Sequence, residues 1–254
     1  MISKNTIKLI HNLELRKFRK AEGKFVAEGN KLVHDNLDSM HCCMLVATSS
    51  WFEANPQARL KADECIEVSR LEMEKTSLLQ TPQDVLAVFS IPNYSDIKPN
   101  AAQSLILALD SVQDPGNLGT IIRLADWFGI SDIVCSTGTA DCFNPKVVQA
   151  TMGAIARVRV HYVNLPEYLA KARIDNIPVY GTFLEGSNIY TTPLSANGII
   201  VMGNEGKGIS AEVESKVSQK LNIPSFPADS VTSESLNVGV ATAITVAEFR
   251  RRMQ

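Results

Sequence analysis

The 254-residue sequence predicts an α/β protein, a small N-terminal α/β domain followed by a parallel sheet with helices on both faces. Three observations predict it. Beyond residue 103, short apolar runs alternate regularly with helical stretches, which argues for a parallel sheet covered on both sides. The stretch Pro92-Asn93-Tyr94-Ser95-Asp96-Ile97-Lys98-Pro99-Asn100 is polar and proline-containing, so it reads as a linker. Three polar segments of the C-terminal half lie where a strand gives way to a helix, and open α/β sheets bind ligands at such junctions. The expected division is 1–91 for the first domain, 92–103 for the linker and 104–254 for the second domain.

The elements follow in order. Residues 5–22 read as one basic helix. Phe25 to Gly29 reads as a short strand and turn, and Asn30 to Leu37 as a helix. Cys42 to Thr48 is an apolar strand, followed by a helical stretch near Trp51. Cys65 to Val68 is a strand, and Ser69 with Glu72 three residues later forms a capping box for a helix to about Thr76. Asp84 to Ile91 is a further strand. Past the linker, strands are expected at 104–109, 132–136, 157–162, 177–182, 198–202 and 220–223. Helices are expected at 117–128, 144–151, 165–173, 209–217 and 236–252.

Composition narrows the function. The chain is 45% hydrophobic and 20% charged, as in soluble globular proteins. At 6% aromatic, it lacks the rings for a large single-strand stacking surface. The net charge is only −2, but residues 1–35 carry eight Lys/Arg against four acids, 8 − 4 = +4. Arg16, Lys17, Arg19, Lys20 and Lys24 form the densest cluster, a candidate phosphate-contacting edge or a solvated helix face. The five cysteines show no C-x-x-C and no His partner at zinc spacing, so no metal is expected, and they suit a reducing compartment. No signal peptide and no membrane-spanning run is evident, so a cytoplasmic protein is expected.

The first polar segment is Asp114-Pro115-Gly116-Asn117-Leu118-Gly119, with Arg123 one turn into the following helix. Asn117 is a candidate N-cap. The second, Gly203-Asn204-Glu205-Gly206-Lys207-Gly208, follows the strong strand Gly198 to Met202. It fits neither G-x-x-x-x-G-K-[ST] nor G-x-G-x-x-G. Glu205 would repel a phosphate, so a nucleoside or a cation suits this loop better. The third, Ser235-Leu236-Asn237-Val238, opens a helix apolar on most of its circumference, as in helices buried on several sides. Ser235 is its candidate N-cap.

Together the segments resemble the three motifs of the SpoU (TrmH) family of RNA 2′-O-ribose methyltransferases, in the SPOUT α/β-knot superfamily. The match runs Asn117-Leu118-Gly119-Thr120-Ile121-Ile122-Arg123, then Met202-Gly203-Asn204-Glu205-Gly206-x-Gly208, then Ile223-Pro224 and Ser235-Leu236-Asn237-Val238-x-Val240-Ala241. Lys24-Phe25-Val26-Ala27-Glu28-Gly29, with Lys31 and Val33, resembles the family's substrate-binding domain, which is similar to a ribosomal-protein RNA-binding fold.

The resemblance implies a trefoil-knotted second domain, although ordinary topology disfavours knots. It also implies S-adenosylmethionine as cofactor and a homodimer with the active site at its interface. Carried over residue by residue, Asn117, Arg123, Glu205, Ser235 and Asn237 are the polar active-site positions. Thr182, Phe183, Gly203, Asn204, Ile223 and Leu236 are the cofactor positions. The loop 225–234 departs from the family: it lacks the usual Met and Gly and is several residues longer.

The implied reaction is in-line attack of a ribose 2′-oxygen of structured RNA, ribosomal or transfer, on an activated methyl group. Competing readings are base methylation by the same fold and a non-catalytic RNA-binding protein. A nicotinamide-dependent oxidoreductase is disfavoured by the missing G-x-G-x-x-G.

Overall fold

The computed structural model describes residues 1–96, 98–227 and 235–253. The part of the lengthened loop from 228 to 234 therefore lies outside the described residues. The chain divides into two compact units: Met1–Asn93 with Asp141–Arg157, and Tyr94–Ala140 with Val158–Gln254. The segment 141–157 lies within the second region in chain order but packs with the first unit.

The first unit contains α1 (Lys4–Asn12), α2 (Arg16–Glu22), β1 (Lys24–Glu28), α3 (Asn30–Leu37), β2 (Cys42–Thr48) and α4 (Ser49–Ala54). A 3-10 turn (Pro56–Lys61), β3 (Cys65–Val68), α5 (Arg70–Thr76) and β4 (Val85–Ser90) complete its main chain run. The sheet order is β1-β4-β2-β3, antiparallel except between β2 and β3. Ile10, Leu13, Val26, Val46, Met73 and Leu86 fill its core.

The single basic helix expected over 5–22 is two helices. α1 ends at Asn12, and α2 restarts at Arg16. Arg19 holds the break: its guanidinium donates to the Leu13 and Glu14 carbonyls at 2.7 Å each and to Asp141 Oδ2 at 2.6 Å. Helix-end carbonyls need such donors. Ser69 and Glu72 form the expected capping box. Glu28 is buried and accepts from Ser77 Oγ, Leu78 N and Gln83 N, which ties the 77–83 turn to β1. The returning segment adds α7 (Pro145–Ala150), and the ring of the preceding Phe143 packs tilted by 41° against Phe25, centroids 4.8 Å apart.

The second unit contains β5 (Leu105–Leu109), α6 (Pro115–Trp127), β6 (Asp132–Ser136), β7 (Arg159–Val163) and α8 (Leu165–Ile174). It continues with β8 (Val179–Asn188), β9 (Gly198–Met202), α9 (Ala211–Glu214), β10 (Gln219–Asn222) and α10 (Val238–Arg251). Six strands form one all-parallel sheet in the order β10-β8-β9-β5-β6-β7. β5 and β9 are buried throughout, as central parallel strands covered on both faces should be.

Strand alternation splits their side chains. Ile106, Ala108, Ile199 and Val201 pack with Leu165, Leu169 and Val213. The alternate residues face the layer that holds α6 and α10, where Ile121, Ile122, Val246 and Phe249 are buried. Two elements differ from expectation. β8 runs on to Asn188 because its second half pairs with β10 across a register shift. The helix expected at 209–217 shrinks to Ala211–Glu214, because Ser218 bonds back to Val179 and turns the chain into β10.

The chain leaves β5 toward β6 on one side and reaches β9 on the other, so the order reverses at β5. Ligand crevices form at the carboxyl ends of strands flanking such a reversal. The loops after β5 and β9 sit there.

Candidate active site

The loop after β5 is anchored before the helix begins. Asp110 is buried; its Oδ2 accepts from Ser210 N at 2.8 Å, and its Oδ1 from the Ser111 hydroxyl. Ser111 takes a positive φ of 59° and donates its N–H to Ser136 Oγ at 2.9 Å. The N-cap of α6 is Asp114, not Asn117: Asp114 Oδ1 accepts from Asn117 N at 2.8 Å, and Pro115 takes the first helical position. Both placements follow ordinary helix-start chemistry. The consequence is that the Asn117 side chain is released from capping.

The loop after β9 closes on itself. Asn204 and Gly208 exchange two backbone hydrogen bonds at 2.9 Å. Asn204 Oδ1 accepts from Gly206 N and Lys207 N, and its Nδ2 donates to Ser111 O. Asn204 thus commits its side chain to shaping the loop. A Cβ at Gly203 would lie 2.4 Å from Gly208 C and Ile209 N, so only glycine fits there. Asp110, Ser111, Gln113, Asn204, Lys207 and Ser210 line a cavity of about 250 Å³ beside the two loops.

The third segment delivers Asn237. Asn237, rather than Ser235, is the N-cap of α10, accepting from Gly239 N at 3.0 Å and Val240 N at 3.3 Å. Its Nδ2 donates to Asn117 Oδ1 at 3.0 Å, and Asn117 Nδ2 donates to Glu205 Oε1 at 2.8 Å. Chemistry fixes the direction of this relay. The Asn237 oxygen is taken by backbone donors, so its nitrogen must face Asn117. Asn117 must then accept there and donate to the Glu205 carboxylate.

α6 and α10 lie parallel. Asn117 meets Asn237 at their starts, Gly239 packs on Thr120, and Arg250 donates to the Phe128 and Gly129 carbonyls at the far end of α6. Two positive helix termini therefore converge on one spot, which favours negative charge there. The Glu205 carboxylate, held by Asn117 Nδ2, lies at that spot.

Arg123 stands apart. It is six residues beyond Asn117, roughly 120° around the helix. It is exposed, and among the described residues it has no hydrogen-bond or ion-pair partner. Trp127 follows one turn later on the same face and is 84% exposed.

The remaining candidates gather where the β8–β9 pairing stops, midway along β8, and at the ends of β9 and β10. Thr182 Oγ1 donates to Val201 O at 3.3 Å, and Asn222 Nδ2 donates to the carbonyls of Phe183 and Leu184. Thr182 and Phe183 thus bridge the strand ends that lead to Gly203 and to Ile223. Phe183 and Ile223 are half-buried and Leu236 is exposed, which leaves apolar surface beside backbone polar groups. Such a lining fits an adenosine moiety. Ser235 precedes Asn237 by two residues and is exposed.

The family model for the SpoU rRNA methylase family matches residues 104–247, and a model for the MRM3-like substrate-binding domain matches residues 4–87. The chain belongs to the SpoU family. It is similar to a 23S rRNA (guanosine(2553)-2′-O)-methyltransferase of Bacillus subtilis, 32% identical over 94% of this chain and 93% of the relative. A TrmH-family RNA methyltransferase structure from Porphyromonas gingivalis is 43% identical with a TM-score of 0.87, covering 99% of both chains. An AdoMet-bound rRNA methyltransferase structure from Sinorhizobium meliloti is 31% identical with the same TM-score, covering 100% of this chain and 97% of that one. The chain is an RNA 2′-O-ribose methyltransferase that draws its methyl group from S-adenosylmethionine.

Sequence reading of this SpoU chain found the relay residues but missed Asp110 and Asp114. An acid closing a buried strand and an Asp-Pro pair were the available signals. The basic cluster also divides. Arg16, Lys17 and Lys20 are exposed and Lys24 is half-buried, whereas Arg19 is only 1% exposed and is spent on Asp141 and two carbonyls. Arg19 is therefore corrected from a candidate RNA contact to a strut inside the first unit.

Proposed function

We propose that this SpoU enzyme methylates a ribose 2′-hydroxyl of ribosomal RNA as a cytoplasmic homodimer. The observation that carries the reading is the Asn237–Asn117–Glu205 relay, which joins the three family motifs at the converging starts of α6 and α10. The names of relatives favour rRNA over tRNA. Arg16, Lys17, Lys20 and Lys24 are the proposed phosphate contacts of the first unit.

S-adenosylmethionine, held by Thr182, Phe183, Gly203, Ile223 and Leu236, supplies a methyl carbon already activated by its sulfonium. The chain's task is to bring the 2′-oxygen to about 3–3.5 Å from that carbon and to manage its proton. Asn117 fixes Glu205 through Oε1; among the described residues, Oε2 has no partner. Glu205 Oε2 is the proposed proton acceptor. A guanidinium stays protonated, so Arg123 is not a base. Arg123 instead binds the acceptor phosphate and stabilises the developing alkoxide, reaching the partner subunit's site.

The test uses purified chain, S-adenosylmethionine and rRNA from cells lacking the gene. The expected product is one 2′-O-methyl nucleotide found by mapping. Glu205→Gln and Arg123→Lys should each slow transfer on the order of 10²-fold while calorimetric cofactor affinity stays near wild type. A methyl group on a base, or near wild-type transfer by Arg123→Lys, would overturn the assignment.

A further inference from the structure

Outside the candidate active site, the first unit holds a second cluster of reactive side chains. His41, Cys43 and Asp63 each present one donor atom, and the three lie within 4.8 Å of one another. His41 Nε2 is 3.0 Å from Asp63 Oδ1, and Cys43 Sγ is 3.9 Å from His41 Nδ1. Linear spacing hid the set, because Asp63 lies about twenty residues on, in the bend between the 3-10 turn and β3. Its N–H donates to Cys42 O at 3.0 Å, and Ser90 N donates to His41 O at 3.0 Å.

Backbone geometry aims these groups. The β2–β4 ladder shifts register between Cys42 and Met44, so Cys43 is the extra residue of a bulge. Bulges re-aim side chains. Cys42 is buried, whereas Cys43 is half-exposed beside exposed His41 and Asp63. The main-chain bonds hold all three positions before any ligand arrives.

We propose that His41, Cys43 and Asp63 form a surface site for one thiophilic divalent cation of the Zn²⁺ type, with a fourth position open to water. A nitrogen, a sulfur and an oxygen from three residues plus an open position is a zinc-type set. Mg²⁺ and Ca²⁺ take oxygen ligands and would leave the thiol unused. Ser90 Oγ lies 3.1 Å from His41 Nδ1 and 3.2 Å from Cys43 Sγ. With Nδ1–H donated to Ser90, Nε2 keeps its lone pair for the ion on the side of Asp63. Outer hydrogen bonds of this kind orient metal-binding histidines. Bond lengths of about 2.0–2.3 Å place tetrahedral ligand atoms about 3.3–3.7 Å apart. His41 Nε2 is already 3.0 Å from Asp63 Oδ1, and one donor atom of each residue lies within 4.8 Å of the others, so rotation of the Cys43 side chain from the Nδ1 edge of the ring toward Nε2 completes the set.

Binding is tested on the full chain, stripped with a chelator, kept reduced, and titrated with Co²⁺ and then Zn²⁺. The expected result is a thiolate-to-cobalt absorption band that saturates at one ion per chain and is bleached by Zn²⁺. Cys43→Ser should abolish the band and Cys65→Ser should keep it. His41→Ala and Asp63→Asn should each weaken Co²⁺ binding about 10-fold or more. Metal-free melting temperatures of these surface variants should match wild type. No band at saturating Co²⁺, or a band unchanged in Cys43→Ser, overturns the proposal.

Discussion

At the residue scale, similar side chains do opposite work according to where their hydrogen bonds go. Arg19 and Lys20 are neighbours in one basic run, yet Arg19 has a nearly buried guanidinium and Lys20 stands in solvent. Removing one partner of a buried ion pair leaves the other without compensation, at a cost of about 3–5 kcal/mol. Arg19→Ala should therefore lower the unfolding free energy by that amount in urea titration, because Asp141 and two helix-end carbonyls lose their donor. Lys20→Ala should stay within about 0.5 kcal/mol of wild type. Equal stability of the two variants would refute the strut role. No sequence signal separated these cations: charge density is a property of the run, whereas burial depended on Asp141, 122 residues away. The asparagines show the same limit. The motif identified Asn117 and Asn237, but which of them caps a helix depended on Asp114 accepting from Asn117 N and on Asn237 Oδ1 reaching Gly239 N and Val240 N.

At the element scale, glycine and buried charge set the shape of the loops and strand ends. The Gly203 strand end approaches the backbone of Gly208 and Ile209 so closely that a methyl group has no room. Backbone on both sides cannot give way as a flexible side chain would. Gly203→Ala should open the loop, costing about 1–3 kcal/mol by overpacking, and should abolish cofactor binding in calorimetry. Retained affinity would show that the close approach is not needed. At the opposite strand ends, Asp132 opens β6 with Arg159 bidentate on it and His161 Nε2 at 2.8 Å. Burial alone would raise the Asp132 carboxyl above its ordinary 3.8, but hydrogen bonds from His161 and Arg159, with the Arg159 charge, outweigh it and hold the group at about 2. A carboxyl lowered in the folded state binds fewer protons than in the unfolded one. Its stabilisation is complete above about pH 4 and is lost as the pH falls toward 2. Stability of wild type should fall across that window, and Asp132→Asn should flatten the fall. An identical acid profile in both would exclude this cluster as the cause. Most strands were legible in the sequence because buried parallel strands read as unbroken apolar runs. The second half of β8 was not, since Leu184 to Asn188 carry no apolar pattern and owe their strand state to β10.

At the scale of the whole molecule, the sequence made the second unit's sheet and three of its site loops readable, because alternation and motif order are local signals. It could not show that 141–157 packs with the first unit, nor that α6 and α10 run parallel, since both depend on long-range packing. That parallel pairing bears on assembly. It turns Asn117 toward Asn237 and leaves Arg123 and Trp127 on another face of α6, open to solvent. An exposed tryptophan next to an arginine without a partner among the described residues is the composition of an interface anchor, and Val240 on α10 is half exposed as well. We expect that face to meet a second copy of the chain, carrying each Arg123 to the partner subunit's relay. Trp127→Glu should then sediment as a monomer at micromolar concentration while wild type sediments as a dimer. The monomer should keep the wild-type far-ultraviolet circular dichroism, because the ring is 84% exposed and contributes little packing within one chain, and only the dimer's concentration-dependent gain in melting temperature should be lost. Its methyl transfer should fall as far as that of Arg123→Lys, and mixing it with an excess of Glu205→Gln should not restore the rate. A Trp127→Glu monomer with the full rate per chain would show that each site is complete in one subunit, and Arg123 would then have to turn toward its own relay.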